Sequence, residues 1–385
     1  MLARASPLPI EEASLADSLG RVLASDVVAG RDQPPFAASA MDGWAVRAAD
    51  TPGRLKIAGE SAAGRAFPGS LSAGQAVRIF TGAPVPPGAD AVVIQEDARR
   101  EGEMVEVPAV TDPRHVRPAG LDFHAGDRLL SAGVRLDPWR LALAAAAGQA
   151  SLAVFSRPRV VILATGEEIA APGAAAGPDQ IYDSGSTSLA ALVRSWGGRA
   201  IAAPQVGDDT AAIATAVETI ACDLLVTVGG ASVGDHDLVK PALSRLGLKL
   251  DVESVAIRPG KPTWFGVLAD GRLVLGLPGN PASAMVCAEL FLRPLLMALQ
   301  GADPILAPIA AKSSAPLASN GGRESWMRAR LSFGPVGEVT ATPFNDQDSS
   351  LITVFAAANA LIRRPSHAPA VQPGDLVEVL PLARL

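Results

Sequence analysis

The sequence predicts a multidomain α/β protein, on three observations. The chain has 385 residues, and a usual domain size of roughly 100–200 residues suggests two to four domains. Residues 158–300 alternate apolar strand patterns with helix patterns, which is typical of a parallel sheet covered by helices on both faces. Val/Ile-rich runs separated by Gly and Pro precede this region, and a Pro/Gly-punctuated, strand-like region follows it. We therefore expect a β domain on either side of a central α/β domain.

The N-terminal region predicts a helix and then a small β domain. Within residues 9–24, the apolar residues from Leu15 to Leu23 recur at three- and four-residue spacing, which predicts a helix. Asp137-Pro138 predicts the start of another helix, with Asp as the cap and Pro in the first turn, and this helix is expected to end near Gly148. Between them, about residues 44 to 118, short strands are predicted at Gln75–Phe80, Ala91–Gln95 and Met104–Val107.

The central region predicts three buried strands, each followed by a loop and a helix. The expected strands are Arg159–Ala164, Asp223–Val228 and Leu273–Leu277. The expected helices are Ser184–Trp196 with Asp183 as its cap, a helix that Asp208 or Asp209 caps and that reaches Ile220, and Pro281 to about Leu299. After Pro304 the pattern predicts a small β barrel or sandwich.

Composition and charge exclude several classes of protein. The net charge of −6 argues against a nucleic-acid surface, which needs a basic stripe, so an anion site must be local. Two cysteines make no disulfide framework, and no histidine has zinc-ligand spacing with them. No secretory signal is visible, and the most apolar stretch, Leu141–Phe155, is too short and too interrupted to span a bilayer. We expect a soluble cytoplasmic protein without membrane or nucleic-acid partners.

Three unusual loops follow the three buried strands. Ligands bind at the carboxyl ends of parallel strands, so these loops are expected to meet. Their glycines let backbone amides approach an anion, and their acids would repel a phosphate unless a cation lay between. The pattern predicts a magnesium-bridged phosphate or pyrophosphate, with ordinary capped turns as the alternative. The loops are Thr165-Gly166-Glu167-Glu168, Gly229-Gly230-Ala231-Ser232-Val233-Gly234-Asp235-His236-Asp237 and Pro278-Gly279-Asn280-Pro281.

Three further segments predict rigid loops. Ile257-Arg258-Pro259-Gly260-Lys261-Pro262 fixes two cations in a loop that prolines stiffen, which suits an oxyanion, and a solvated turn is the alternative. Residues 35–45 place an acid and a glycine among the apolar side chains of Phe36, Met41 and Trp44, and residues 81–90 form a Pro-rich loop. For both of these, a plain structural turn stays open.

Seven segments, in order over almost the whole chain, closely resemble motifs of one family. This family is the molybdopterin molybdenumtransferases, which include MoeA and the E domain of gephyrin. The set is specific because all seven motifs are in register. The segments are SAMDGWA at 39–45, FTGAPVPPGADAVV at 80–93, ATGEEI at 164–169, IYDSGS at 181–186, VGGASVGDHD at 228–237, IRPGKP at 257–262 and GLPGNPASA at 276–284.

The resemblance implies a four-part subunit and a reaction. The parts are an elongated helical linker domain (1–43 and 120–156), an inserted β domain (44–119), a molybdopterin-binding α/β domain (157–301) and a C-terminal β barrel (302–385). The implied enzyme is a magnesium-dependent transferase that binds adenylylated molybdopterin and molybdate, releases AMP and leaves molybdenum on the dithiolene. The resemblance also implies a homodimer with a shared active site, and other cofactor-biosynthesis proteins are further expected partners.

The expected site residues come from these loops and motifs. The resemblance implies that the catalytic acids are Asp42, Asp122, Glu168 and Asp237, and that magnesium is held by Glu168, Asp235 and Asp237. Arg258 and Lys261 would hold molybdate or phosphate. The other expected substrate-binding residues are Thr165, Gly166, Asp183, Gly229, Gly230, Ser232, Gly234, Pro278, Gly279 and Asn280.

Four positions depart from the family's pattern. Leu121 stands where Glu is usual, Trp44 replaces Tyr, Arg258 replaces Lys, and Asp348 adds a negative charge to a QGSG-like stretch. Two other functions stay open. A catalytically weakened scaffold of the same fold is disfavoured by the retained acids. The related molybdopterin adenylyltransferase is disfavoured by the chain length, because it would lack residues 1–150 and the C-terminal domain.

Overall fold

Three six-stranded sheets organise the described part of the chain. The computed structural model describes residues 1–111, 115–166, 168–203, 207, 209–229 and 238–382. One sheet is largely parallel and carries helices, one belongs to an inserted β region, and one closes into a barrel near the C-terminus. The predicted multidomain α/β fold class is therefore confirmed.

The N-terminal linker region is built mainly from short antiparallel strand pairs. The predicted helix over residues 9–24 is wrong, because Ile10–Ser14 pairs with Ser151–Phe155. This pairing imposes a two-residue side-chain period in place of the helical one. Leu19 lies beyond the strand, in a turn, and is exposed. The helix Pro138–Ala146 begins as predicted, with the Asp137 carboxylate as its cap. The remaining elements are the 3-10 helix Leu2–Arg4 and the strands Val27–Val28, Ala38–Ser39, Val116–Arg117 and Arg128–Leu130.

The inserted β region is a six-stranded sheet on which apolar side chains cluster. Its first strand begins at a glycine. Gly43 opens the first strand and lies between two neighbouring strands. A Cβ at Gly43 would collide with the Val93 carbonyl oxygen, so this close backbone approach requires glycine. In sheet order the strands are Ala91–Ile94, Gly43–Val46, Gln75–Ile79, Gly53–Ser61, Met104–Val107 and Arg99–Glu101, with 3-10 helices at Ala48–Asp50 and Gln95–Asp97.

The central sheet is mixed rather than wholly parallel. Its first four strands are parallel, and two antiparallel strands that the sequence did not predict extend one edge. Separate buried clusters cover its two faces. In sheet order the strands are Arg199–Ala202, Arg159–Ala164, Leu224–Val228, Leu273–Leu277, Trp264–Val267 and Lys249–Val252. The helices are Ser184–Ser195, Thr210–Thr219 and Val239–Ser244, and Ile169–Ala170 pairs with Ile181–Tyr182 beside the sheet.

A long apolar helical segment forms the centre of this region. Pro281–Leu299 is the one segment in the described ranges that is long and apolar enough, by length and composition, to cross a membrane. Here 72% of its most apolar window is buried inside the protein, so its composition is that of a core helix, which is apolar all round. It runs as the α-helix Pro281–Cys287, the π-helical turn Ala288–Leu292 and the α-helix Arg293–Leu299.

The C-terminal strands close a five-stranded barrel, as predicted. The central region extends this barrel, because Ile257–Arg258 pairs in parallel with Glu324–Ser325. This pairing brings the predicted cationic loop against the barrel. Around the barrel the strands are Glu324–Phe333, Val339–Pro343, Ile309–Ser313, Leu376–Pro381 and Ala360–Arg364, and Ile352–Ala357 is a short helix.

Candidate active site

The three predicted loops converge at the carboxyl edge of the central sheet. They follow three neighbouring parallel strands, so all three start at the same edge. A Cβ on Gly229 would lie 3.1 Å from the Thr165 carbonyl oxygen, and one on Gly279 would lie 3.5 Å from the Gly229 Cα. The glycines therefore let three backbones pack closely, which is the geometry that exposes amide groups to an anion.

Glu168 and Asp183 flank the small strand pair beside this edge. The Ile181 N–H donates to the Glu168 carbonyl at 2.8 Å, and the Asp183 N–H donates to the Ala170 carbonyl at 2.9 Å. The Asp183 carboxylate caps the following helix through a 2.8 Å hydrogen bond. The exposed Glu168 carboxylate folds back over Gly166, where a Cβ would collide with it. Of the two acids, Glu168 is thus the one whose carboxylate is available to a ligand.

Two cavities open beside these loops. The smaller, of about 50 Å³, lies among Glu168, Gly229 and Gly279. The larger, of about 320 Å³, lies between the helix Ser184–Ser195 and the sheet, and most of its wall is apolar. The Ser186 Oγ is buried there without a hydrogen-bond partner among the described residues, so it can bond a ligand. The polar side chains of the larger cavity are Asp183, Ser186, Thr187 and Arg194.

The cationic loop is anchored on the buried central helix. Gly260 has a φ of +116°, and a Cβ there would collide with the Cys287 Sγ. The Thr263 Oγ donates to the Gly260 carbonyl at 2.8 Å and lies 3.1 Å from the same sulfur. Burial raises the pKa of the Cys287 thiol to about 12, so the sulfur is a neutral packing group. The loop backbone is fixed in this way, while the side chains of Arg258 and Lys261 stay exposed.

A cavity of about 530 Å³ separates the cationic loop from the C-terminal barrel. Its described lining includes four cations and one carboxylate, that of Asp348. Arg258 and Lys261 come from the loop, and Arg323 and Arg364 come from the barrel side. None of these four cations forms an ion pair with another residue in the described ranges. A local positive field therefore exists in a chain of negative net charge.

Two buried arginines of the barrel lie at this cavity or next to it. Arg364 is 5% exposed, and its Nη2 donates to the carbonyls of Ala318 and Pro369. Arg328 is fully buried, and its Nη2 donates to the Asp348 carbonyl at 3.0 Å. Its Nε and Nη1 have no partner among the described residues. Burial lowers the pKa of both guanidinium groups, and an arginine stays charged under such shifts.

The loop that carries Asp348 also contacts the third glycine loop. The Asn280 Nδ2 donates to the Ser349 Oγ at 3.0 Å, and the Ala282 N–H donates to the Ser349 carbonyl at 3.1 Å. The Asp348 Oδ1 accepts hydrogen bonds from the Ser350 Oγ at 2.6 Å and the Ser350 N–H at 2.8 Å. These bonds lower the pKa of Asp348. The added carboxylate of Asp348 is therefore charged at the cavity, and Ser350 binds one of its oxygens.

Asp42 lies directly before the first strand of the inserted β region, where Thr81 holds it. The Asp42 Oδ1 accepts hydrogen bonds from the Thr81 N–H at 2.7 Å and the Thr81 Oγ at 2.8 Å. These two bonds, and then the nearby Arg78 charge, lower the pKa of Asp42. The second carboxylate oxygen makes no hydrogen bond to a described residue, so a stable carboxylate is presented outward.

Asp122 lies on a neighbouring exposed loop. The Asp122 N–H donates to the Gln33 carbonyl at 2.9 Å, which joins its loop to the segment before Asp42. Exposed apolar side chains surround these acids. Neither acid has a hydrogen bond or ion pair to the central α/β region in the ranges that the structure covers. The exposed apolar residues are Phe36, Met41 and Leu121.

The predicted magnesium ligands can be examined only in part. Asp235 and Asp237 lie outside the described residues, as do Gly230, Ser232 and Gly234. Within the described ranges, no group of three or more His, Cys, Asp or Glu residues is placed to hold a metal ion. Glu168 is thus the described carboxylate at this edge with a free side chain, and it suits an oxygen-ligated cation such as Mg²⁺.

Sequence reasoning missed the barrel side of the site. Arg323 and Arg364 carry no local pattern, and the pairing of Ile257–Arg258 with the barrel, together with barrel closure, places them around the same cavity as Arg258. Ser186 was within a quoted motif but was not singled out. Its position in the first turn of a helix, one turn after the Asp183 cap, was the signal that could have found it.

Three family models match almost the whole chain. The MoeA N-terminal region (domain I and II) matches residues 1–148, a probable molybdopterin binding domain matches residues 161–298, and the MoeA C-terminal region (domain IV) matches residues 310–382. Along the chain, the first and third matched regions precede and follow the matched molybdopterin-binding region.

Curated relatives and solved structures agree with these models. Molybdopterin molybdenumtransferase 2 of Mycobacterium tuberculosis is 38% identical over 95% of this chain and 93% of its own length. The molybdopterin molybdenumtransferase of Haemophilus influenzae is 31% identical over 98% of this chain and 95% of its own. The molybdopterin biosynthesis MoeA protein of Pyrococcus horikosii superposes with a TM-score of 0.82 at 32% identity, covering 98% of this chain and 95% of that one. The chain belongs to the molybdopterin molybdenumtransferase (MoeA) family.

Proposed function

We propose that this protein is a molybdopterin molybdenumtransferase of molybdenum-cofactor biosynthesis, as its full-length relatives are named. Its substrates are molybdopterin, in the adenylylated form, and molybdate. AMP is released, and molybdenum ends on the dithiolene. The observation that carries the proposal is the cation-lined cavity beside the third glycine loop. The Pro278–Asn280 loop borders that cavity, and its Gly279 also borders the small cavity of Glu168.

The four cations would bind and orient the tetrahedral oxyanion. Arg258 and Lys261 sit on a loop that Gly260 and Thr263 fix to the core, so their charges need little rearrangement before reaction. Preorganised charge at a reacting oxyanion can contribute several kcal/mol to transition-state stabilisation. Arginine also offers a planar pair of donors that matches two oxygens at once.

The glycine loops would bind the phosphate part of the other substrate. The amides around Thr165, Gly229 and Gly279 suit an anion, and the apolar cavity beside Ser186 suits a flat ring system. Magnesium dependence is part of the proposal: Glu168, together with Asp235 and Asp237, would hold the cation. The cation would supply charge neutralisation at the phosphoanhydride. The chain's residues would meanwhile hold both substrates at one edge of the sheet and exclude water from it.

We further propose that the enzyme is a homodimer in which two subunits share each active site. Asp42 and Asp122 lie in an exposed, partly apolar surface and make no hydrogen bond or ion pair with the described residues of the α/β region of their own chain. A twofold dimer would let each subunit give these acids and receive its partner's. The four-part domain division, the cytoplasmic location and contacts with other cofactor-biosynthesis proteins stay predictions.

Mixed dimers test the shared site. Asp42→Asn and Lys261→Ala subunits should each retain only a low background activity alone. With sharing, a mixed dimer carries one doubly damaged site and one intact site. Random exchange makes about half of all dimers mixed, so about a quarter of wild-type activity should return under twofold symmetry. Activity that stays at the single-variant background after verified subunit exchange would contradict a shared site.

An AMP-release assay distinguishes the proposed transferase from a scaffold and from an adenylyltransferase. The protein is incubated with adenylylated molybdopterin, Mg²⁺ and molybdate, and AMP is followed. The proposal expects AMP only when molybdate is present. A scaffold would release none, and an adenylyltransferase would instead consume ATP with molybdopterin. Either of those outcomes would overturn the proposed activity.

A further inference from the structure

Arg78 connects the segments on either side of Asp42. Its Nη1 donates to the Gly43 carbonyl at 3.1 Å, and its Nη2 donates to the Gln95 Oε1 at 2.6 Å. The guanidinium carbon lies 5.4 Å from the centre of the Trp44 ring and 4.9 Å from that of Phe80. Two hydrogen bonds and two aromatic contacts therefore fix a half-buried cation.

Gln95 links Arg78 to the backbone of Asp42. Its backbone N–H donates to the Asp42 carbonyl at 3.1 Å, while its side chain receives the Arg78 guanidinium. Arg78 thus bonds the Gly43 carbonyl directly, and the Asp42 carbonyl accepts from the backbone of Gln95, the residue whose side chain Arg78 binds. Thr81 holds one carboxylate oxygen from the other side. Arg78 has no ion pair with a carboxylate within the described residues, so its charge acts at a distance on Asp42.

We propose that Arg78 is a positioning residue for Asp42, because it fixes the Asp42–Gly43 backbone through Gly43 and Gln95 and directs the free carboxylate oxygen outward. The inference rests on the proposed function, in which Asp42 acts on the reacting group. Arg78 itself does not touch substrate. Trp44, which replaces the family's usual tyrosine, has the role of a platform under the guanidinium rather than that of a hydroxyl donor.

The geometry requires arginine rather than any cation. A lysine ammonium would keep the charge and the ring contacts but lacks the planar fork that reaches two acceptors in fixed directions. Misplacing a reacting group by about 1 Å can cost roughly a hundredfold in rate. We therefore expect Arg78→Met to lower kcat by about ten- to a hundredfold with little change in KM, and Arg78→Lys to restore only part of it.

A double-mutant comparison tests the inference on the full-length enzyme. Arg78→Met is measured alone and in an Asp42→Asn background, with Arg54→Met as control, since Arg54 is an exposed arginine of the same sheet paired with Glu101. We expect Arg78→Met to cause no further loss of kcat in the Asp42→Asn background, and we expect Arg54→Met to leave kcat unchanged. An equal fold-loss in both backgrounds, or an unchanged kcat, would overturn the positioning role.

A second readout needs no turnover. In protein labelled with ¹³C-carboxyl aspartate, the Asp42 resonance is assigned by its loss in Asp42→Asn. Arg78→Met should shift this resonance at neutral pH, and Arg54→Met should not. An unshifted resonance overturns the inference even if AMP is released, and a shifted one supports it even if the proposed activity fails. If Arg78→Met does not fold, Arg78→Lys is judged by the same criterion.

Discussion

Replacing Gly260 with alanine should damage the cationic loop by a predictable amount. The position has a φ of +116°, and the added Cβ would collide with the Cys287 sulfur. A residue other than glycine at such a φ costs about 1–2 kcal/mol, and overpacking a buried site costs about 1–3 kcal/mol. Alanine also restricts the unfolded chain, which stabilises the folded protein by about 0.4–1 kcal/mol. We expect a net loss of roughly 1–5 kcal/mol and weaker molybdate binding, since the backbone that carries Lys261 must move.

Gly271→Ala is the matched control for this prediction. Gly271 also has a positive φ, of +90°, but a Cβ there meets nothing within 4 Å. It should therefore cost only the backbone strain and leave molybdate binding unchanged. Calorimetric unfolding and molybdate titration compare the two variants, and Cys287→Ala should partly rescue Gly260→Ala by removing the clash. Equal losses in the two glycine variants, or strictly additive effects with Cys287→Ala, would refute the reasoning.

Four other variants test the remaining roles. Lys261→Ala should weaken molybdate binding in calorimetric titration without lowering the melting temperature, because its side chain is exposed; a collapse in melting temperature with unchanged binding would make the residue structural. Thr81→Val removes the hydroxyl bond to the Asp42 carboxylate and keeps the backbone N–H bond, so the pKa of Asp42 should rise and the acid limb of the kcat/KM profile should move to higher pH; an unmoved limb would exclude this role. Glu168→Gln should raise the Mg²⁺ concentration needed for half-maximal AMP release, and an unchanged requirement would remove the residue from metal binding. Asp237→Asn should fold normally yet lose Mg²⁺-dependent AMP release, and normal turnover would remove it from the mechanism.

The central sheet could be predicted where local pattern and tertiary environment agree. Arg159–Ala164 and Leu273–Leu277 are continuous apolar runs, and their bounds match the structure because such runs are buried on both faces. The helix expected over residues 9–24 fails because a partner strand about 140 residues away, Ser151–Phe155, determines the local structure. Spacing within a short window does not contain that information.

The candidate site, too, could be predicted from the sequence only in part. The convergence of the glycine loops follows from strand order, so the sequence predicts it. The cations Arg323 and Arg364 reach the cavity only because Ile257–Arg258 pairs with a barrel strand and the barrel closes. No local motif marks these arginines. Likewise, Asp348 looks like a repulsive charge in sequence, whereas in the fold its carboxylate is bonded to Ser350.

The stoichiometry of AMP release to molybdenum transfer tests the central claim most directly. Purified protein would be given adenylylated molybdopterin, Mg²⁺ and increasing molybdate, and both AMP and dithiolene-bound molybdenum would be measured in the same samples. The account predicts one AMP for each molybdenum transferred, with both falling together in Lys261→Ala. AMP released at the same rate without molybdate, or molybdenum transferred without AMP, would contradict it.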